Sequence, residues 1–245
     1  MDTAALVSPR IADPFAGLAR EDLETMLAAG YEVRECMRVL AKVGRNVVAE
    51  VLEGQGPFVE LEHYPRGDVY DPDTHSQYYY HAHRPESGEH GHFHTFLRAP
   101  GMPPGIAPAP EASAGAAASG EQALSHLVAI SMDAYGRPTH LFTTNRWVTA
   151  ETWYRAEDVI RMVDRFEIDH AWPNWATNRW ITAMLRLFKP QICALIRARD
   201  RTVEAWRRRH PDRDVFEDRE LEITSILPIS IDDQMRTLED RLGRM

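Results

Sequence analysis

From Leu23 to Val51 the apolar residues recur at three- and four-residue spacing: Leu23, Met26 and Leu27, then Val33, Met37 and Leu40, then Val43, Val47, Val48 and Val51. That spacing marks one face of an α-helix. Glu21 and Asp22 at its start suit the positive end of the helix dipole. Gly30 and Gly44 are points where the helix would break, and Gly54-Gln55-Gly56-Pro57 ends the pattern. The period then shortens to two. FVELEHY (58–64) alternates and predicts a strand, and the turn-rich PRGDVYDPDTHS (65–76) predicts a loop. QYYYHAHR (77–84) and HFHTFLRA (92–99) are aromatic and alternating, and predict two more strands. LSHLVAISMDAYGRPTHLFTTNRWV (124–148) predicts a second hairpin turning at Asp133-Ala134-Tyr135-Gly136.

Helical spacing returns over 156–168 and again from Asn178 to Arg209, where Pro190 should split the segment. A last strand is expected within 220–230 and a short amphipathic helix over 232–242. Helices, strands and helices in that order predict an α+β fold. Its antiparallel sheet of about four to six strands spans 58–148 with a contribution from 220–230, flanked by N-terminal and C-terminal helices. The expected organisation is one domain over residues 1–245. Residues 1–15 form a loose arm, 20–54 are helical, 58–148 form the sheet and 156–245 are mainly helical. APGMPPGIAPAPEASAGAAASGEQ (99–122) has the composition of a flexible excursion from the sheet.

Composition narrows the function classes. The 245 residues are 27% charged and 44% hydrophobic, an ordinary globular balance. The net charge of -9 and the pI of 5.7 disfavour a general nucleic-acid binder, because an acidic surface repels phosphate. RARDRTVEAWRRRHPDR (197–213) is a local exception. Its interleaved Asp200 and Glu204 make a solvated helix face the preferred reading over an anion patch. The 2 cysteines, Cys36 and Cys193, form no framework, and each falls in a helical pattern as a small buried hydrophobe would. No signal-peptide pattern opens the chain and no uncharged run reaches the ~20 residues of a membrane span, so a cytoplasmic, reducing location is expected. A small-molecule substrate is compatible with this chain; a nucleic acid or a membrane is not an expected partner, and the oligomeric state is left open. Thr144-Asn145-Arg146-Trp147 returns as Thr177-Asn178-Arg179-Trp180, which predicts two helix starts with a capping Thr or Asn and an inward Trp.

The candidate chemistry lies in YYYHAHRPESGEHGHFHTF (78–96), which holds five of the chain's 11 histidines. Residues two apart on a strand share a face. Tyr79, His81 and His83 therefore form one row, and His90, His92, His94 and Phe96 another. If Arg84 pairs with Glu89, His83 faces His90, His81 faces His92 and Tyr79 faces His94, all on one face. A slip of one residue separates the rows. The apolar rows favour the clustered register, since it also joins Tyr80 to Phe93 on the core side.

Cross-strand imidazoles about 5 Å apart at Cβ can converge on one ion at about 2.0–2.1 Å. The predicted metal ligands are His81, His83, His92 and His94, with His90, His126 and His140 as alternates. An all-imidazole set suits one transition metal ion, whether zinc, iron, copper or nickel, and leaves room for water or substrate. Tyr79 and Glu89 are the candidate catalytic residues: Tyr79 as a hydrogen-bond donor to a ligand, Glu89 (like Glu86) as a base or a carboxylate orienting an imidazole. Asp68, Asp71 and Asp73 read as turn formers.

The strand-borne HxH of His81 and His83 followed by a Glu resembles the first metal motif of the cupins, and Gly136, His140 and Asn145 echo the second. The interval to Glu86 is shorter than that motif requires, and to Glu89 longer. The 63–98 stretch resembles an uncharacterised bacterial family of unknown function, which implies no activity. GxSxG, P-loop, GxGxxG and HExxH are all absent. Two functions follow from the histidines: a metal-binding protein, extended to an oxygenase-like or hydrolytic enzyme where the ion acts on a substrate, or a non-catalytic binding or scaffold module whose histidine surface charges as pH falls through ~6.5.

Overall fold

The computed structural model describes residues 8–9, 13–82, 88–112 and 120–245. The chain forms helix α1 (Arg20–Ala41), helix α2 (Val47–Leu52), strands β1 (Tyr64–Tyr70), β2 (Ser76–His81), β3 (Gly91–Arg98), β4 (Leu124–Met132) and β5 (Pro138–Thr144), and the short helix α3 (Arg146–Thr149). Helices α4 (Ala156–Val163), α5 (Trp175–Leu187) and α6 (Lys189–Arg209), strand β6 (Ile223–Pro228) and helix α7 (Ile231–Arg244) complete it. The six strands form one antiparallel meander in the order β1-β2-β3-β4-β5-β6. The α+β class and the helices on both sides of the sheet in sequence are as expected.

The two N-terminal glycines behave differently. Gly44 takes a φ of +70° and separates α1 from α2. Gly30 stays inside α1 because the helix passes close to α7: a Cβ there would lie 2.8 Å from Met235 Cγ. Pro190 sits in the first turn of α6, where its missing N–H costs nothing, and the chain turns between α5 and α6 just before it.

Two expectations are corrected. The first strand is Tyr64–Tyr70, not 58–64. Leu61 has a φ of +68°, which extended pairing does not permit. The supposed loop becomes a strand through a bulge, since Gly67 and Asp68 take φ of +88° and +57° between the pairs Tyr64↔Tyr80 and Val69↔Tyr78. Within 99–112 the chain is packed, not loose: Ala109 and Ala112 are buried with Trp153, Trp206 and Phe216, and Met102 and Ile106 lie against the main core. Small residues suffice there because the indole and phenyl rings supply the apolar surface.

Sheet parity divides the molecule. Tyr78, Tyr80, Phe93, Leu97, Val128, Ile130 and Leu141 join the main core with α1, α5 and α6. Trp180 of α5 stands 5.8 Å from Phe93, Tyr78 donates to Asn178 Oδ1 at 2.6 Å, and Ser225 donates to the Leu195 carbonyl of α6 at 2.9 Å. Tyr79, Phe96, Ala129 and Phe142 are equally buried but lie outside that core, on the opposite face. The repeated Thr-Asn-Arg-Trp splits in role. Asn145 caps α3 as expected, whereas Asn178 lies inside α5, whose cap is Asn174. No helix among the described residues is long and apolar enough to cross a membrane.

Candidate metal centre

The β2–β3 register pairs His81 with His92, Tyr80 with Phe93 and Tyr79 with His94, which is the clustered register. Gly91 lets the strands close at the base of this hairpin: a Cβ there would lie 2.6 Å from the His81 carbonyl oxygen and from Tyr80 Oη. Side chains on the face opposite the main core then converge. His81, His92 and His94 are 6%, 0% and 0% exposed, and one ring nitrogen from each lies within 4.8 Å of the others. The ring centres are 4.6 Å apart for His81–His92, 4.7 Å for His92–His94 and 5.1 Å for His81–His94. Among the described residues this is the group of three or more His, Cys, Asp or Glu side chains close enough to share one ion.

Two neighbours hold the imidazoles by their second nitrogens. His92 Nδ1 lies 2.8 Å from Glu89 Oε1. An ionised carboxylate only accepts, so Nδ1 carries the proton and the neutral ring keeps its lone pair on Nε2. His94 Nδ1 lies 3.0 Å from His126 Nε2. Burial pushes His126 down to about 3, with Arg199 adding to the effect, so its ring is neutral at ordinary pH. A neutral His126 ring can accept from His94 Nδ1, and in that tautomer the His94 lone pair also falls on Nε2. His81 Nε2 lies 2.8 Å from His92 Nε2, a hydrogen-bond distance in which His81 must donate. Two imidazoles on a tetrahedral ion stand about 3.3 Å apart at nitrogen, so ligation requires these two rings to part slightly and His81 to move its proton to Nδ1.

The remaining candidates fall as follows. Glu89 stands against His92 with its side chain 8% exposed, as an orienting carboxylate would. Tyr79 is buried between the His63 ring at 3.5 Å and Phe96 at 5.4 Å, and its ring centre is 5.2 Å from His94. Burial, with Asp68 and Glu151 adding to it, raises its hydroxyl far above the ordinary range, so Tyr79 can only present a neutral O–H. His90 precedes β3 and turns to the core side, with Nδ1 2.6 Å from Tyr80 Oη and its ring stacked on Phe58 at 5.3 Å. His140 pairs with Ser131, which in turn pairs with His92. It is thus two strands from His92, roughly 10 Å away at strand spacing. His83 lies outside the described residues, as does Glu86. Asp71 accepts from the Asp73 and Thr74 N–H groups at 2.9 and 3.1 Å, as a turn former does.

One participant, His126, was expected only as an alternate ligand with its face left open, and another, Glu151, was not expected at all. His126 reaches the histidine face through a bulge between Thr95 and Phe96, which lets Leu127 and Val128 both enter the core. Glu151 follows α3 on an extended strap, where Thr152 N–H donates to the Leu124 carbonyl at 2.9 Å. Its Oε2 accepts from the His126 N–H at 2.7 Å. Glu151 is 0% exposed, and burial pushes its carboxyl up to about 7 against the attraction of Arg199 and Arg146. Arg199 is itself buried, stacked 4.1 Å over Trp153 and donating to the Tyr154 carbonyl at 2.6 Å, so one arginine of the basic 197–213 run is a core residue.

The cupin resemblance finds no support in this arrangement. The sheet is a single six-strand meander, Asn145 is a helix cap, and His140 is not among the three clustered rings. No curated protein and no solved structure matches the chain. The expected kinship with an uncharacterised family does hold: a family model matches residues 27–229, and the chain belongs to the family described as Domain of unknown function (DUF6969).

Proposed function

We propose that the chain is a transition-metal protein whose ion is held by Nε2 of His81, His92 and His94, with Glu89 and His126 fixing two of the three rings. The convergence of three buried imidazoles carries this reading. Nitrogen donors favour zinc, iron, copper or nickel over calcium and magnesium, which prefer oxygen. Three protein ligands leave a coordination position for water or a small molecule, the pattern of catalytic sites. A bound ion would supply Lewis-acid or redox chemistry there, and the residues favour an oxygenase-like or hydrolytic enzyme. The protein's own part is to keep the site dry with Phe96 and Phe142 and to offer the Tyr79 O–H as a donor. Cys36 and Cys193, as separate free thiols, support a reducing, cytoplasmic setting. The other reading, a pH-sensitive recognition surface, would call for histidines splayed into solvent; these are buried against one another.

The test is metal analysis of untagged full-length protein after loading and desalting. One bound ion per chain and a metal-dependent rise in melting temperature support the centre, and both should vanish in His92→Ala and His94→Ala. A wild-type protein that binds no ion and melts unchanged would refute it.

A further inference from the structure

Three neutral imidazoles bring no negative charge to a dication, and the three rings are buried. A buried ion needs compensation within the protein. Glu89 supplies one carboxylate behind His92. On the other flank stands Glu151, joined to the site by two hydrogen bonds: its Oε2 to the His126 N–H at 2.7 Å, and His126 Nε2 to His94 Nδ1 at 3.0 Å. Its second oxygen, Oε1, is buried and has no hydrogen-bond partner among the described residues. A carboxylate so placed is costly to hold ionised in the metal-free protein. The charged and titratable groups around it are Arg199 and Asp200 on α6, Arg146 on α3, Tyr79 on β2, Tyr154 on its own strap and His126 on β4. The two arginines act on Glu151 only at longer range. Arg199 is engaged by Asp200 and Arg146 by Glu217.

We infer that Glu151 is the charge-balancing carboxyl of the histidine centre, so that loading a dication onto His81, His92 and His94 drives the Glu151 proton out to solvent. The balance is simple: the metal enters with two positive charges, and the carboxyl O–H breaks to leave a carboxylate and one released proton. This assignment rests on the proposed metal centre and makes Glu151 a positioning residue, not a ligand. Its consequence is a pH-gated affinity. Above neutrality Glu151 is already ionised and attracts the ion; in mild acid the ion must first expel the proton.

The experiment is calorimetric titration of untagged full-length protein with zinc(II) from pH 5.5 to 8, in buffers of different ionisation enthalpy, for wild type and Glu151→Gln. At pH 6 the wild type should release close to one more proton per zinc than the variant. Its affinity advantage should widen as pH rises, reaching about ten- to a hundredfold at pH 8, the order expected when a buried carboxylate and a dication attract each other through the protein. Equal proton release and a pH-independent affinity ratio would overturn the inference. A wild type that binds no zinc overturns the metal centre itself, a separate result read on wild type alone. Should Glu151→Gln not fold, the infrared difference spectrum of the wild type decides: loss of a protonated-carboxyl C=O band on zinc loading at pH 6 supports the inference, and an unchanged band refutes it.

Discussion

The two faces of the β2–β3–β4 sheet are equally buried and do opposite work. On one, Tyr78, Tyr80, Phe93, Leu97, Val128 and Ile130 meet α5 and α6 in a continuous core. On the other, His81, His92, His94 and His126 lie among Tyr79, Phe96 and Phe142, and each polar ring is tied to a neighbour. Strand alternation places the two sets back to back, a single residue apart in sequence. The lesson is that burial alone does not identify a core. The helix-packed face holds the fold through area removed from water, whereas the histidine face spends comparable burial on polar groups that favour folding only when every partner is in place.

That contrast can be broken from either side. The largest effect should come from the helix-packed face. Trp180→Ala or Phe93→Ala removes a fully buried ring and should cost about 3–5 kcal/mol of stability in denaturant unfolding, with any metal binding lost only through the fold. A comparable effect of His94→Ala on the metal-free protein would erase the distinction.

Next in size is the pH response, which should belong mainly to the histidine face, where His126 and Glu151 are fully buried; on the core side His90, at the sheet's end against Tyr80 and Phe58, is only half-buried. Burial depresses His126 from 6.5 to about 3, so the unfolded chain takes up its proton first as pH falls. The stability His126 contributes is therefore present above pH 6.5 and lost progressively toward pH 3. Glu151 runs the other way: its carboxyl is raised from 4.5 to about 7, so its contribution is complete below pH 4.5 and lost as pH rises through 7. At about 1.4 kcal/mol per pH unit these windows amount to at most roughly 5 kcal/mol for His126 and roughly 3 kcal/mol for Glu151. In the metal-free protein His126→Phe should flatten the acid limb of a stability–pH curve, and Glu151→Gln should raise the limb near neutrality. Curves that keep the wild-type shape would remove these two residues from the electrostatics of the face.

A smaller effect sharpens the division of labour within the site. Glu89→Gln retains the size of the side chain but weakens the hold on His92, and should lower metal affinity about 10–100-fold in a competition titration while leaving the melting temperature of the metal-free protein nearly unchanged. An undiminished affinity would make Glu89 a bystander. Smallest of all, Arg208→Ala in the exposed pair with Glu204 should shift stability by under about 0.5 kcal/mol, and so calibrates the rest.

Much of this was legible in the sequence where a local rule sufficed. Alternation in 78–96, with Tyr80 and Phe93 as the apolar anchors, led to the pairing of His81 with His92 and Tyr79 with His94. The Asp133–Gly136 turn and the break before Pro190 also rest on neighbours in the chain. What was not legible depends on long-range backbone departures. The bulge between Thr95 and Phe96 resets the parity of β4, so alternation could not place His126. Glu151 stands in no pattern at all; only the distant pairing of Thr152 with Leu124 brings it to the site. The first strand was displaced for the same reason, because positive φ at Gly67 and Asp68 allowed a turn-rich segment to pair.

The central claim is that the two sheet faces differ because one of them holds a metal ion. Elemental analysis of untagged, metal-loaded and desalted protein, run beside His92→Ala, tests it most directly. One transition-metal ion per wild-type chain and none in the variant is the predicted result; wild type and variant equally free of metal would contradict it.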